Sequence, residues 1–341
     1  MAKPLLALAV APWHVLGVRF LDRVGKGARE SPRDALISLS TERARLGRAF
    51  GFHRGMDTLG AALGPLAAFA ILPLINQNYR LLFLLSFIAS FFAVLILVFF
   101  VREVRAPVGG SEPARERPVI TDVRPNLFTA VPRADRNSFL SRLGAPFFLF
   151  LAIAVIASLG RASEAFLILR AREVGIAVIF IPLLYVAFSI TYALLSTPLG
   201  VLADRVGKRN TFIAGLLVFS AAYFGCAFAD SSRMVWALCG VYGLYAALTD
   251  GVGRAIVAGL VVPDLQATAF GFYNAFTGVA LLPASVVFGY LNQHWGSRTA
   301  FSYGATLTLM AVVAFLVLRR IFDRRVNLTE RDGREYSEIR P

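Results

Sequence analysis

Residues 200–209 read GVLADRVGKR, one acid and three bases set between two long apolar runs at roughly 177–203 and 210–229. Each run is long enough to cross a hydrocarbon core, which takes about 20 predominantly apolar residues in helical form. A short basic loop between two such helices is expected on the cytoplasmic side of the membrane. Working outward, further apolar runs fall at roughly 49–75, 80–101, 145–169, 235–260, 267–291 and 299–318.

The composition agrees with that solvent. Of 341 residues, 57% are hydrophobic and 16% charged, with a mean hydropathy of +0.65. Soluble domains carry about 25% charged residues. The net charge of +14 lies largely in connections between apolar runs, which argues against a nucleic-acid surface. The stretch 102–143 is polar and proline-rich, with eight arginines, and reads as a linker. The end from Arg319 holds seven more, whereas INQN, FADSSR and NQHWGSR hold one or none. Linker, GVLADRVGKR loop and C-terminus are therefore expected to be cytoplasmic, which fits six helices between linker and tail. Cys226 and Cys239 lie in apolar runs and give neither a disulfide framework nor metal-ligand spacing. The apolar run at the start of MAKPLLALAVA is too short for the core of a signal peptide.

The sequence repeats itself. GRAFGFHRGMDTLGAALGP at 47–65 resembles ATAFGFYNAFTGVALLPAS at 267–285, aligning Ala49-Phe50-Gly51-Phe52 with Ala269-Phe270-Gly271-Phe272. Upstream, the charged stretch around Arg33 aligns with TDGVGRAIVAG around Arg254. The expected fold is all-α and membrane-embedded, in two helical bundles of which the first is incomplete: about nine full transmembrane helices and a stub. The expected divisions are 1–101, a partial bundle; 102–143, the linker; 144–321, a six-helix bundle; and 322–341, the tail. If the halves are true repeats, about 75–85 residues should precede Met1.

GVLADRVGKR is similar to the Gly-x-Leu-Ala-Asp-Arg-x-Gly-Arg-Lys loop of major facilitator superfamily transporters, and the chain resembles bacterial proton-linked efflux members over nearly its whole length. The resemblance implies the major facilitator fold and makes Gly200, Asp204, Arg205, Gly207, Lys208 and Arg209 a cytoplasmic gating loop. Gly51, Gly60, Gly64 and Pro65 resemble the family's antiporter motif Gly-x8-Gly-x3-Gly-Pro-x2-Gly-Gly; Ala68-Phe69 stand where its last glycine pair should be. Small residues at that spacing let helices approach closely, so plain helix packing explains the pattern equally well. The first-half copy of the Asp-Arg-Gly-Lys loop is missing.

The segment VRFLDRVGKGARESPRDALI, 18–37, carries charges at 19, 22, 23, 26, 29, 30, 33 and 34. On a helix these steps form one broad stripe. A charge at the bilayer centre costs roughly 2.5–3.5 kcal/mol on insertion scales, so such a stripe has to face a cavity or paired partners. By the resemblance this is the fourth helix of a twelve-helix transporter. The competing reading makes 4–20 one span and 21–48 a cytoplasmic loop, with Pro32 ending any helix there; a mixed case puts Arg19, Asp22, Arg23 and Lys26 in the bundle and the rest at the interface.

Candidate groups for proton coupling or the substrate cavity are Arg19, Asp22, Arg23, His53, Arg54, Asp57, Glu164, Asp250 and Arg254, with Asp22 ranked first, then Asp57 and Glu164. Arg54 and Asp57 are three apart and His53 and Asp57 four apart, so both pairs can meet on a helix. Glu164 lies near Arg161, and Asp250 is four from Arg254. Tyr185, Tyr192, Tyr242, Tyr245 and Tyr273 are candidate lining residues. There is no Walker-type phosphate loop, catalytic triad or metal cluster, so an enzyme is not expected, nor a cofactor or metal. The expected function is secondary transport, proton-coupled export of a small organic compound by alternating access. The expected partners are that compound, protons and the lipid bilayer of the cell (inner) membrane. Two alternatives stand: a uniporter or symporter for an anionic solute, and a shortened membrane protein that does not transport. Substrate and oligomeric state are not encoded in any motif.

Overall fold

The structure, a computed structural model, describes residues 29–76, 78, 142–177 and 180–338, with positions 81, 84, 85, 87, 88, 91, 92, 95, 96 and 99 between them; side chains at 65, 68, 69, 72, 182 and beyond 318 are excepted. Arg19, Asp22, Arg23 and Lys26 lie outside these residues. The described residues hold helices and no strand.

Helix α1 is described over 29–39, and α2 covers Leu46–Leu74. The positions described between 81 and 99 are helical. Then come α3 (Ala145–Gly160), α4 (Ala165–Glu173), α5 (Ile181–Val206), α6 (Lys208–Ala227) and α7 (Ser232–Leu260). The run Gln266–Glu338 is broken at Gly296, whose φ of 78° and ψ of 169° are not helical. It divides into α8 (266–295) and α9 (297–338). Among the described residues, five stretches are long and apolar enough to cross a membrane: Ala145–Glu173, Leu183–Val206, Lys208–Ala227, Ser232–Leu260 and Pro263–Leu318, the last holding the Gly296 break. Helix α2 has 29 residues, about 44 Å at 1.5 Å per residue. Its first turns carry Arg48, His53, Arg54 and Asp57.

Local chemistry explains the boundaries. The Ser231 hydroxyl caps α7 by accepting from the Met234 N–H. Gly207, at φ 106°, makes the tight turn between α5 and α6, a left-handed conformation that an L side chain strains to adopt. The segment expected as one span over 145–169 is interrupted, because Arg161 takes an extended conformation after α3 (φ −95°, ψ 108°). The polar run Arg161–Glu164 falls there, and the Gly160 backbone is pressed on α9: a Cβ at 160 would sit 2.5 Å from Thr308 Oγ1 and 2.7 Å from the Gly304 carbonyl. Pro32 does not end its helix, which runs on to 39.

Aromatic rings fill the interior. Phe150 meets Phe212 at 5.4 Å between ring centres, and Phe219, Tyr223, Phe288 and Phe301 form a chain of ring contacts that is edge-on from Tyr223 to Phe288 and from Phe288 to Phe301. The two copies of the repeat face each other, with Phe50 and Phe270 fully buried at 5.8 Å. The exterior of α5 and α8 is apolar, exposing Leu194, Val279, Leu282 and Val286. Apolar faces outward with charge inside is the arrangement a lipid solvent selects.

Candidate functional site

The chemistry gathers in two places. One is the end of the molecule where α2 begins and α5 ends, called here the basic end after Arg43, Arg45, Arg205, Lys208 and Arg209. The other is a cavity deeper between the helices.

At the basic end, α2 lies against α5 with no side chains between them. A Cβ on Gly200 would fall 2.2 Å from the Gly47 carbonyl, and one on Gly51 would fall 2.3 Å from the Ser196 carbonyl. One turn deeper, Gly251 of α7 touches the Gly51 backbone. Asp204, near the end of α5, then caps α2: its Oδ1 accepts from the Gly47 N–H at 2.9 Å and its Oδ2 from the Arg48 N–H at 2.8 Å. Those N–H groups have no partner within their own helix, and the helix dipole favours an anion there. Lys208 donates to the Arg43 carbonyl at 2.8 Å and stays 3.7 Å from Asp204.

Beside this contact lies a buried ion cluster. The Asp34 carboxylate on α1 has no exposure to solvent; its Oδ1 accepts from Arg33 Nη2 at 2.9 Å and its Oδ2 from Arg254 Nε on α7 at 2.8 Å. Arg254 also donates through Nη1 to the Asp250 carbonyl at 2.9 Å. Ser31 of α1 donates to the Ala267 carbonyl of α8. The helices before the 102–141 stretch thus meet those after it through polar contacts as well as packing.

The cavity has a volume of about 280 Å³ and is walled by parts of α1, α2, α3, α6, α7 and α8. Arg54, Arg161 and Arg254 line it, with Glu30 and Asp250. Tyr192 donates to Asp250 Oδ2 at 2.8 Å, and Arg161 hydrogen-bonds the Tyr245 hydroxyl.

Several expected pairings are found and several are replaced. Arg54 Nη1 reaches Asp57 Oδ2 at 3.5 Å, as the spacing predicts, with Asp57 about half exposed (53%). His53 makes no ion pair with Asp57 among the described residues; its Nδ1 is buried without a hydrogen-bond partner. Asp250 and Arg254, four apart, meet through the Asp250 main-chain carbonyl, while the Asp250 carboxylate accepts from Tyr192 and the Arg254 guanidinium pairs with Asp34. Glu164 is exposed at the start of α4 and forms no ion pair with Arg161 among the described residues, since the break turns Arg161 inward. Of the antiporter-like glycines, Gly51 is in tight contact, whereas a Cβ on Gly60 or Gly64 would meet nothing described within 4 Å. Close helix approach therefore accounts for Gly51 alone. Pro65 lies on α2 within the same turns. Among the tyrosines, Tyr245 and Tyr273 line the cavity and Tyr185 is exposed. Sequence reasoning missed Asp34, placing it at the interface. The alignment of Arg33 with Arg254 was its one available signal.

Glycine-mediated contact between helices from the two parts of the chain, an acid capping a helix of the other part, and a charged interior cavity describe a helical membrane protein with a polar interior. The chain belongs to the Major Facilitator Superfamily, whose sequence pattern matches residues 2–169 and again 149–339. An uncharacterised MFS-type transporter of Methanocaldococcus jannaschii is 31% identical over 324 residues, covering 93% of this chain and 75% of that protein. The multidrug resistance protein Stp of Mycobacterium tuberculosis is 27% identical over 134 residues, 39% of this chain and 24% of its own length. In structure, the human organic anion transporter MFSD10 (TETRAN) matches with a TM-score of 0.67 at 18% identity, covering 92% of this chain and 73% of that one. That likeness shows the fold. The chain is accordingly a multi-pass membrane protein of a family that carries small molecules rather than one of enzymes.

Proposed function

We propose that the protein exports a small organic compound by alternating access in exchange for protons, and that the structure is closed at the basic end. The observation that carries this reading is Asp34: a carboxylate without solvent contact, shared between Arg33 of its own helix and Arg254 of α7. Opening the basic end separates α1 and α2 from α5 and α7, so the Asp34–Arg254 pair has to break. Leaving a buried charge uncompensated costs about 3–5 kcal/mol. A proton delivered to Asp34 removes the negative charge and releases Arg254, which couples opening to proton movement. Asp204 and the Gly47–Gly200 contact complete the gate. In this reading Asp57, Glu164 and Asp250 are further proton acceptors on the path, the basic end faces the cytoplasm of a cell whose inner membrane holds the protein, and the stretch 102–143 links two bundles. The proton-linked motif resemblance and the partial likeness to a multidrug resistance protein support export.

The test uses the conformational change itself. With Cys226 and Cys239 replaced, spin labels at Arg48 and Val206 report the gate distance by pulsed electron resonance. The wild type should give one short distance. Asp34→Asn, which imitates the protonated acid, should add a longer population. A single unchanged distance in both proteins would sink the gate. Efflux from proteoliposomes that persists after collapse of the proton gradient would replace exchange by uniport.

A further inference from the structure

The 280 Å³ cavity carries three arginines on its wall, one of them without an ion pair among the described residues. Arginines reach it from three places: Arg54 on α2, Arg161 at the break after α3, and Arg254 on α7. Arg254 is held by Asp34, and Arg54 is held loosely by Asp57. Arg161 makes no ion pair with any described carboxylate; its described partner is the neutral Tyr245 hydroxyl. Of the two wall carboxylates, Asp250 accepts from Tyr192 and forms no ion pair with Arg161 among the described residues. Buried cations are paired or they wait for a ligand, because desolvating an unpaired charge is costly.

The polar atoms on this wall point the same way. Two of them are buried with no hydrogen-bond partner, Arg54 Nε and Asn274 Nδ2, and both are donors. Arg54 is more than nine-tenths buried. The hydroxyls of Thr249 and Thr277, by contrast, are satisfied by helix carbonyls one turn back. The cavity therefore lacks an acceptor with more than one lone pair. A carboxylate supplies that, and the planar guanidinium fork of arginine matches it in two parallel hydrogen bonds. Phe212, Leu216 and Tyr273 give a small apolar body somewhere to lie.

We infer that the cavity binds a small organic carboxylate, with Arg161 and Arg54 holding the carboxylate and Asn274 donating beside them. This rests on the transport reading only for the fate of the ligand, not for its binding. A ligand that binds the folded protein raises its melting temperature, by roughly 2 °C at ten times its Kd for a chain of this length. The full chain in dodecylmaltoside is melted with lactate, succinate and benzoate, then with lactamide, succinamide, benzamide and benzylammonium, and with inorganic phosphate. At least one carboxylate should stabilise the protein more than its own amide, and benzylammonium should not. Arg161→Gln should abolish that difference and Arg161→Lys should retain part of it; melting without ligand shows that each variant is folded. Equal shifts for carboxylates and amides, no shift by any carboxylate, or an undiminished difference in Arg161→Gln would overturn the inference. So would a shift by phosphate alone, which would mean an inorganic anion. Binding of a carboxylate that is not moved in proteoliposomes would leave this inference standing and end the transport reading.

Discussion

A carboxylate without water must find its counter-charges inside the protein, and Asp34 finds two, at 2.9 Å and 2.8 Å. Removing one partner should cost more than removing both. We expect Arg254→Gln to lower stability by about 3–5 kcal/mol, and Asp34→Asn combined with Arg254→Gln to recover a large part of that loss. Thermal melting of the four proteins in detergent gives the coupling; additive losses would mean that the pair carries no special energy. Asp204 differs, being partly exposed and bonded to backbone N–H groups rather than to arginines. Its two charge-assisted bonds to the start of α2 are worth about 1.5–3 kcal/mol each, so Asp204→Ala should lower the melting temperature clearly and Asp204→Asn less. Equal melting of Asp204→Ala and wild type would show that the cap is dispensable. His53 Nδ1 is buried and unpartnered, and nothing in the described structure explains why.

At the scale of the element, α2 is two different helices in one. Its first half is a contact surface where Gly47 and Gly51 let the α5 backbone approach, and its second half shows no described neighbour at Gly60 and Gly64. Alanine should separate the halves. Gly200→Ala and Gly51→Ala place a Cβ at 2.2–2.3 Å from a carbonyl oxygen, so α2 and α5 must move apart and the protein should melt earlier or fail to accumulate. Gly60→Ala and Gly64→Ala should be neutral or stabilising by up to about 1 kcal/mol, because glycine is the poorer helix former. Parallel expression and melting of the four variants checks this, and destabilisation by Gly60→Ala would show that its open side is occupied. On the far side, Arg170 donates to the carbonyls of Cys226 and Ala229 at 3.0 and 2.9 Å and pairs with Glu173, which accepts from Ser297. That clamp ties the short helix α4 to the ends of α6 and α9 beyond the break at Arg161. Arg170→Ala takes the guanidinium from two carbonyls and leaves Glu173 with Ser297 as its remaining described partner, and should loosen α4 enough to speed its amide exchange while leaving α7 protected.

For the whole molecule, the Gly47–Gly200 contact, the Asp204 cap and the Asp34–Arg254 pair each join the part before residue 102 to the part after 141. A rocking motion has to give up the Gly47–Gly200 contact, the Asp204 cap and the Asp34–Arg254 pair together. The gate should therefore open as one cooperative step, and the long-distance population in Asp34→Asn should grow further, with no third distance, when Asp204→Asn is added.

Much of this was legible in the chain. Long apolar runs, the basic loop Gly200–Arg209 and the repeat around Phe50 and Phe270 all act through local composition and spacing, which survive without tertiary information. They point to an all-helical membrane protein in two related parts, and the resemblance of Gly200–Arg209 to a family loop implied the major facilitator fold. The spacing of Arg54 and Asp57 likewise gave their pairing, because both lie on one helix. What the chain could not show was any choice between partners far apart in sequence. Asp250 and Arg254 stand four apart and look like a pair, yet Arg254 is claimed by Asp34, 220 residues away. The break after Gly160 depends on the backbone of Gly304 on another helix, and the inward turn of Arg161 depends on that break. Hydropathy and motif record which residues prefer lipid or a turn; only the packed helices decide which donor reaches which acceptor, since burial and distance exist in the folded molecule alone.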